Sequence, residues 1–447
     1  MADLKHLTEK MLAAAKRAGA EAADAIVIKG DSLSIEVANG ALEHAERAEG
    51  IDLGLRVLLG QRSAVVSVSD ASDTTIAVMA ERAVAMAKAA PEDPHVGLAE
   101  AAQLATDWDV EALELVDPAT PASPEALKDM ALEAEAAALN VNGVSKVDSA
   151  GGSYSASNIH LATSNGFSGG YGRTSTGLYC TAISGSGLEM ERDYKGDSRT
   201  FAADMMGADE VGRIAGERAV ALIGASQPPT GAFPVLFDER VSSTLIGHLM
   251  AAINGRSVAR GVSWLKDALG ERVLPEGMDL VEDPFRTRVG GSKPFDGEGL
   301  ATARRAWVKN GVLTGWVLDL ATGRQLGMDS TGNAARGAGS APSPSVGNLT
   351  LTAGEKTRDE LIKDMGTGLI VTSMIGSSVN PNTGEYSRGA SGFWVENGEI
   401  VRPVNECTVA GNLREMLGSM VAANDGQAHL SRVVPSLLVE GLTIAGS

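Results

Sequence analysis

The strongest candidates for metal chemistry are the six histidines: His6, His44, His95, His160, His248 and His429. No two of them lie within one helical turn. A zinc site takes three or four ligands from His, Cys and carboxylates, often with two on one helix, so any such site here must be assembled from distant segments. His248 lies beside an apolar stripe at helical spacing, Val241, Leu245, Leu249 and Ile253, where a lone histidine reads as a core or interface residue rather than a ligand. Two phosphate or acyl-transfer signatures fail on context. Gly290-Gly291-Ser292-Lys293 ends like a P-loop, but Pro294 stands where the helix must begin. Gly166-Phe-Ser168-Gly-Gly170 has the letters of a nucleophile elbow inside a run of strands, with no helix to follow. The stretch from Ile375 to Trp394, with its glycines and Pro381, reads as a fixed, non-repetitive backbone. It is either a long connection or a surface that pairs with an extended peptide by strand addition.

These residues need a scaffold, and its outline follows from periodicity. Leu4, Leu7, Met11 and Leu12 mark a helix that stops at Gly19, and a second helix follows Asp73 and ends before Pro91. Between them, runs around Leu33–Val37, Ile51–Val57 and Ala64–Val68 alternate as strands. From Glu92 to Glu135 twelve acidic residues face one basic residue, Lys128, with prolines through the first part; this predicts a solvated connection and an exposed helix at about 125–139. Residues 145–200 read as an antiparallel meander, and 208–224 as a helix. Gln227-Pro-Pro-Thr-Gly231 is the best domain boundary. Beyond it come a strand at 233–237, the helix bearing His248, Asn-Gly hairpins at Asn310-Gly311 and Asn397-Gly398, short helices near 357–365 and 412–421, and a last apolar strand at 436–444. Ser330 to Ser345, dense in Gly and Pro, reads as a mobile flap or a linker. The expected fold is α+β in two domains: residues 1–227, helix and antiparallel sheet with an acidic, Pro-rich connection near 91–124, and residues 228–447, β-rich and barrel-like.

Composition removes several functions. With 38 basic and 57 acidic side chains the net charge is −19, so contact with a phosphate backbone is not expected. No apolar run approaches the ~18–20 residues of a membrane helix, and the polar N-terminus is unlike a signal peptide. Cys180 and Cys407 are too few for a disulfide framework, which suits a reducing cytoplasm.

Longer motifs carry a resemblance. Asn380-Pro-x-Thr-Gly384-x-Tyr386-Ser387-x-Gly389-x-x-Gly392-Phe-Trp, Glu396-Asn-Gly-Glu399-Ile and Thr408-Val-Ala-Gly411-Asn412 resemble the C-terminal blocks of the TldD/PmbA family. Ser330-Thr-Gly-Asn333-Ala-x-Arg-Gly337, Lys293-Pro-Phe-Asp296-Gly-Glu298-Gly and Pro435-Ser-Leu-Leu-Val-Glu-Gly441 are similar to its PmbA (TldE) branch, also labelled modulator of DNA gyrase. The resemblance implies a cytoplasmic metalloprotease system in which TldD and TldE subunits act as a pair on small, unfolded peptides. In the TldD branch a helix carries His-Glu-x-x-x-His, and a cysteine near the C-terminus completes a zinc site. Matching that helix puts Ser243 at the first ligand and Thr244 at the catalytic glutamate, and leaves His248; the cysteine falls in Arg432-Val-Val-Pro435.

The resemblance therefore implies a noncatalytic subunit with no metal of its own and zinc in a TldD-like partner; a partner-binding face left without its partner tends to bury itself, so a homodimer is expected when the chain is isolated. Its peptide-binding candidates are Asn380, Pro381, Gly384, Tyr386, Ser387, Arg388, Gly389 and Gly392. One alternative is an enzyme of different hydrolase chemistry, needing His248, Cys407 and Asp296 or Glu298 to converge. Another is a scaffold that binds through acidic residues 92–135.

Overall fold

The computed structural model describes residues 2–447. The N-terminal half runs α1 (Ala2–Ala18), β1 (Ala22–Ala38), β2 (Ala41–Leu59), β3 (Arg62–Val68), α2 (Asp73–Ala89), α3 (Pro124–Leu139), β4 (Val144–Thr163), β5 (Ser168–Ser184), β6 (Glu191–Arg199) and α4 (Ala208–Ala221). The strands form one antiparallel sheet in the order β3-β2-β1-β4-β5-β6. Side chains alternate along a strand, so the odd-numbered residues of β1 meet the helices. Ala23, Ala25 and Val27 join Leu53, Leu55 and Val57 beneath α1 and α2, and Ile35 and Val37 join Leu178 and Cys180 beneath α3 and α4. The other face of the sheet, through Ile26, Leu161 and Phe167, packs on Phe295 of the C-terminal half.

The second half opens with β7 (Gly231–Phe237), α5 (Glu239–Ala252), α6 (Gly255–Ala259), β8 (Leu280–Glu282), β9 (Arg305–Lys309), β10 (Val312–Leu313) and α7 (Leu320–Leu326). Then come β11 (Ala334–Ala335), β12 (Ser343–Pro344), β13 (Leu349–Leu351), α8 (Arg358–Met365), β14 (Gly368–Val379), β15 (Glu385–Glu396), β16 (Glu399–Asn412), α9 (Leu413–Ser419), β17 (Val421–Ala422), β18 (Arg432–Val433) and β19 (Leu437–Ala445). Strands pair in the order β16-β15-β14-β7-β19, and β19 returns to β16 through Thr408↔Ala445, Val409↔Ile444 and Ala410↔Thr443. The result is a closed five-stranded barrel, which leaves no free edge along the pairing. Helix α5 packs its Val241, Leu245 and Leu249 into one core with Phe237, Val371, Trp394 and Val439 of the barrel strands. Helix α8 covers another part of the barrel through Leu361, Ile362 and Met365. The expected α+β architecture with a barrel-like C-terminal half is the observed one.

Three expectations fail. The acidic connection is not simply solvated: Leu113 and Leu115 are buried, Leu104 bridges to Leu300, and the Trp108 ring packs on Phe167 and Phe295. Nor is the helix after it exposed. α3 buries Leu127, Ala131, Ala134 and Ala138, a narrow stripe of mostly small residues that a count of charges conceals. The Gly/Pro-dense segment from Ser330 is neither flap nor loose linker, since β11 pairs with β12 and Arg336 between them is buried against the N-terminal sheet. The tight fit is visible at Gly54 of β2, where a Cβ would lie 2.2 Å from the Ala338 carbonyl oxygen.

Candidate functional site

Helix α5 begins at Asp238, whose carboxylate accepts the Arg240 N–H and a hydrogen bond from Arg358 Nε. Its three residues of interest diverge in role. Ser243 is half-buried, and Thr244 turns its hydroxyl back to the Val241 carbonyl at 2.7 Å. His248, one turn further, stands edge-on to the Tyr386 ring with centroids 5.8 Å apart. The buried His248 Nε2 has no hydrogen-bond partner among the described residues. Burial, and next the charge of Arg388, hold its pKa below the usual imidazole value, so the ring is neutral at pH 7.

Strand β15 supplies the facing groups. Tyr386, Arg388 and Ala390 alternate along it, which turns Tyr386 toward α5. Tyr386 is buried, its phenol is pushed up to about 12 by that burial, and its hydroxyl lies 3.3 Å from Met374 Sδ. Arg388 donates from Nε to the Gly376 carbonyl. Cys407 of β16 pairs with Ala390 and donates to its carbonyl at 3.2 Å; burial raises the thiol to about 11, so it is not a thiolate.

The stretch expected to be non-repetitive is instead a strand hairpin, β14 to β15. Asn380 and Pro381 lie in its exposed turn, closed by Asn380 N–H to Glu385 O and Gly384 N–H to Asn380 O, both at 2.9 Å. Gly384 holds a φ of 79° beside the Trp264 ring. Ser387 is paired with Ala410 and Gly389 with Thr408 inside the barrel wall. At Gly392 a Cβ would sit 1.9 Å from the Ile370 carbonyl, so neighbouring strands meet backbone to backbone. Of the eight peptide-binding candidates, Tyr386 and Arg388 are thus drawn to His248, whereas Asn380, Pro381 and Gly384 belong to the hairpin turn.

Segment 432–435 does reach α5. The Val434 carbonyl accepts from Ser242 Oγ at 3.2 Å, and Arg432 Nη1 lies 3.5 Å from where a Gly247 Cβ would be. Periodicity gave no warning of this guanidinium. The carboxylates of the alternative enzyme reading lie in another environment. Asp296 accepts the N–H groups of Glu298, Leu300 and Ala334, and Glu298 that of Leu320. They do not converge with His248 and Cys407, and no group of three or more His, Cys, Asp or Glu side chains suited to a metal occurs among the described residues.

Family models of the PmbA/TldA metallopeptidases match three parts of this chain: domain 1 at residues 23–87, the central domain at 117–223 and the C-terminal domain at 230–446. The chain belongs to the PmbA/TldD family. The protein named Metalloprotease PmbA in Escherichia coli O157:H7 is 35% identical to it over 97% of this chain and 94% of its own length. A solved modulator of DNA gyrase from Bacteroides thetaiotaomicron aligns with a TM-score of 0.91 at 25% identity, covering 100% of both chains. TldE from Thermococcus kodakarensis shares the fold, with a TM-score of 0.84 at 19% identity over 98% of this chain and 100% of its own. No helix of the described residues is long and apolar enough to cross a membrane.

Membership in a metallopeptidase family implies a metal, and the side chains around α5 do not fit one. A catalytic zinc takes three protein ligands and an open position. Here the helix offers one imidazole and two hydroxyls, and nearby guanidiniums carry a charge that opposes a cation.

Proposed function

We propose that this chain is a PmbA/TldE-type subunit of a TldD/TldE-type metalloprotease system, without hydrolytic zinc chemistry of its own. It completes the substrate chamber of a TldD-like partner that holds the zinc, and helps keep small unfolded peptides extended for processing. The observation that carries the reading is the donor set of α5. Ser243 and Thr244 stand where a ligand and a general base would be needed, and a hydroxyl supplies neither function at neutral pH. Arg388 beside His248 adds a positive charge that suits a peptide carbonyl or carboxylate better than a metal ion.

Within this reading the β14–β15 hairpin, from Asn380 to Gly392, is the peptide-facing element, and isolated chains pair as homodimers in the cytoplasm. The test is metal analysis of the purified chain, with digestion of an unfolded peptide in the presence and absence of a TldD-like subunit. Substoichiometric zinc, no cleavage alone and cleavage with the partner are expected. Zinc-dependent cleavage by this chain alone would end the proposal.

A further inference from the structure

Glu114 and Arg288 are 174 residues apart, and both hold a left-handed backbone, with φ of 45° and 60°. Neither is a glycine or asparagine, so each conformation costs energy and needs surrounding structure to hold it. The holding contacts are specific. The Arg288 N–H donates to the Leu113 carbonyl and Thr200 Oγ1 to the Arg288 carbonyl, both at 2.9 Å. Arg288 Nε donates to Glu114 Oε2 at 2.5 Å, and Nη1 to Asp204 Oδ2 at 3.2 Å. The guanidinium is thereby fixed 3.9 Å from the centroid of the Phe201 ring.

This arrangement forms one wall of an open cavity of about 480 Å³, where the acidic connection crosses both halves of the molecule. Its other walls are apolar: Val110, Leu115, Val116 and Pro118, with Val116 46% exposed. The volume falls in the range of ligand-sized pockets. The charge around it is one-sided. Among the described residues its single lining cation, Arg288, is already matched by two carboxylates, and Glu111 on the lining makes no ion pair. An apolar hole with a net negative border selects an apolar side chain carried between positive charges.

We propose that this cavity docks an extended segment of a partner protein in which a leucine or phenylalanine is flanked by lysine or arginine. The Glu114–Arg288 pair is the strut that keeps the cavity open, and Phe201 is its floor. The proposal does not depend on the metal status of α5 or on the β14–β15 hairpin.

The test is fluorescence anisotropy with the full chain and a labelled Lys-Lys-Leu-Phe-Lys-Lys peptide. Two comparison peptides replace its core by Ser-Ser or its flanks by glutamate. Saturable binding of the first is expected, weakened at least tenfold in both comparison peptides. The same loss is expected for Val116→Asp and for Glu111→Lys, both at exposed positions, with thermal melts confirming that each variant is folded. Equal affinity for the Ser-Ser peptide would overturn the proposal, because charge alone would then explain binding. So would undiminished binding by Val116→Asp, or no binding of the first peptide up to about 1 mM.

Discussion

Asp24 and Arg336, 312 positions apart, form a buried ion pair that fastens the two halves of the molecule together. Their side chains are 2% and 1% exposed, and Asp24 also accepts from Arg56 Nε at 2.7 Å. Burial opposes ionisation of Asp24, but the two guanidiniums outweigh it and hold its pKa below the usual carboxylate range.

Removing the shared partner is therefore worse than removing one of the pair. Asp24→Ala leaves two desolvated guanidiniums without their anion and is expected to cost about 3–5 kcal/mol. Arg336→Met leaves Asp24 paired with Arg56 and also removes Nε and Nη2, which have no partner among the described residues; it is expected to cost less than about 3 kcal/mol. Denaturant melts of the two variants give the order. Equal costs would mean that Arg56 does not share the carboxylate.

The same junction depends on a missing side chain at Gly54. A methyl group there would sit 2.2 Å from the Ala338 carbonyl oxygen, so Gly54→Ala forces backbone to move rather than a flexible side chain to turn. A loss of about 1–3 kcal/mol is expected. Limited proteolysis should then cut faster between β11 and β12, because that ribbon is the element displaced. An unchanged cleavage rate would show that the ribbon is held independently of β2.

Glu298 gives a pH dependence of defined sign. Burial, and next the charge of Asp296, raise its pKa from 4.5 to about 8. Between those values the folded protein keeps a proton that the unfolded chain releases, so stability falls as pH rises across the window. Glu298→Gln retains an acceptor for the Leu320 N–H and cannot ionise. The variant is expected to be more stable than the parent by a few kcal/mol at pH 8 and to lose that advantage near pH 4.5. Thermal melts at the two pH values decide it, and an advantage equal at both would refute the assignment.

What could be read from sequence follows the range of the interaction. The Asn-Gly turns are local, and the structure has positive φ at Asn310, Gly311, Asn397 and Gly398, as a type I′ hairpin needs. A third turn with the same signal, Asn39-Gly40, joins β1 to β2; Leu33, Ile35 and Val37 alternate on its β1 side, but the β2 side, Ala41 to Gly50, has no apolar alternation. Residues 41–50 are exposed on both faces and are held as strand by pairing with β1, which leaves no pattern to detect. The barrel pairs residues near 235 with residues near 439 and 370 and closes by pairing residues near 409 with residues near 444, and nothing local specifies such partners. At the candidate site the helix of His248 was legible from its stripe. The approach of Arg388 and Arg432 to that helix was not, since it depends on where β15 and β18 lie.

His248 itself offers the last test, because its neighbours act on one protonation state. Its folded pKa lies below the unfolded value of about 6.5, through burial and the charge of Arg388. Well above pH 6.5 the ring is neutral in both states and its contribution is constant. As pH falls below that, the unfolded chain takes up the proton first, so His248 contributes a loss of stability on the acid side. Other groups titrate there too, and the informative quantity is the difference between the parent and His248→Gln. That variant is expected to show a shallower loss of melting temperature between pH 6.5 and 5, with little change at pH 8. Arg388→Gln should also make the acid-side loss shallower, since removing the cation brings the folded pKa of His248 closer to the unfolded value and narrows the window from its acid end. If Arg388→Gln leaves the profile of the parent untouched, the guanidinium does not act on the imidazole, and the electrostatic argument against a cation beside α5 loses its support from Arg388.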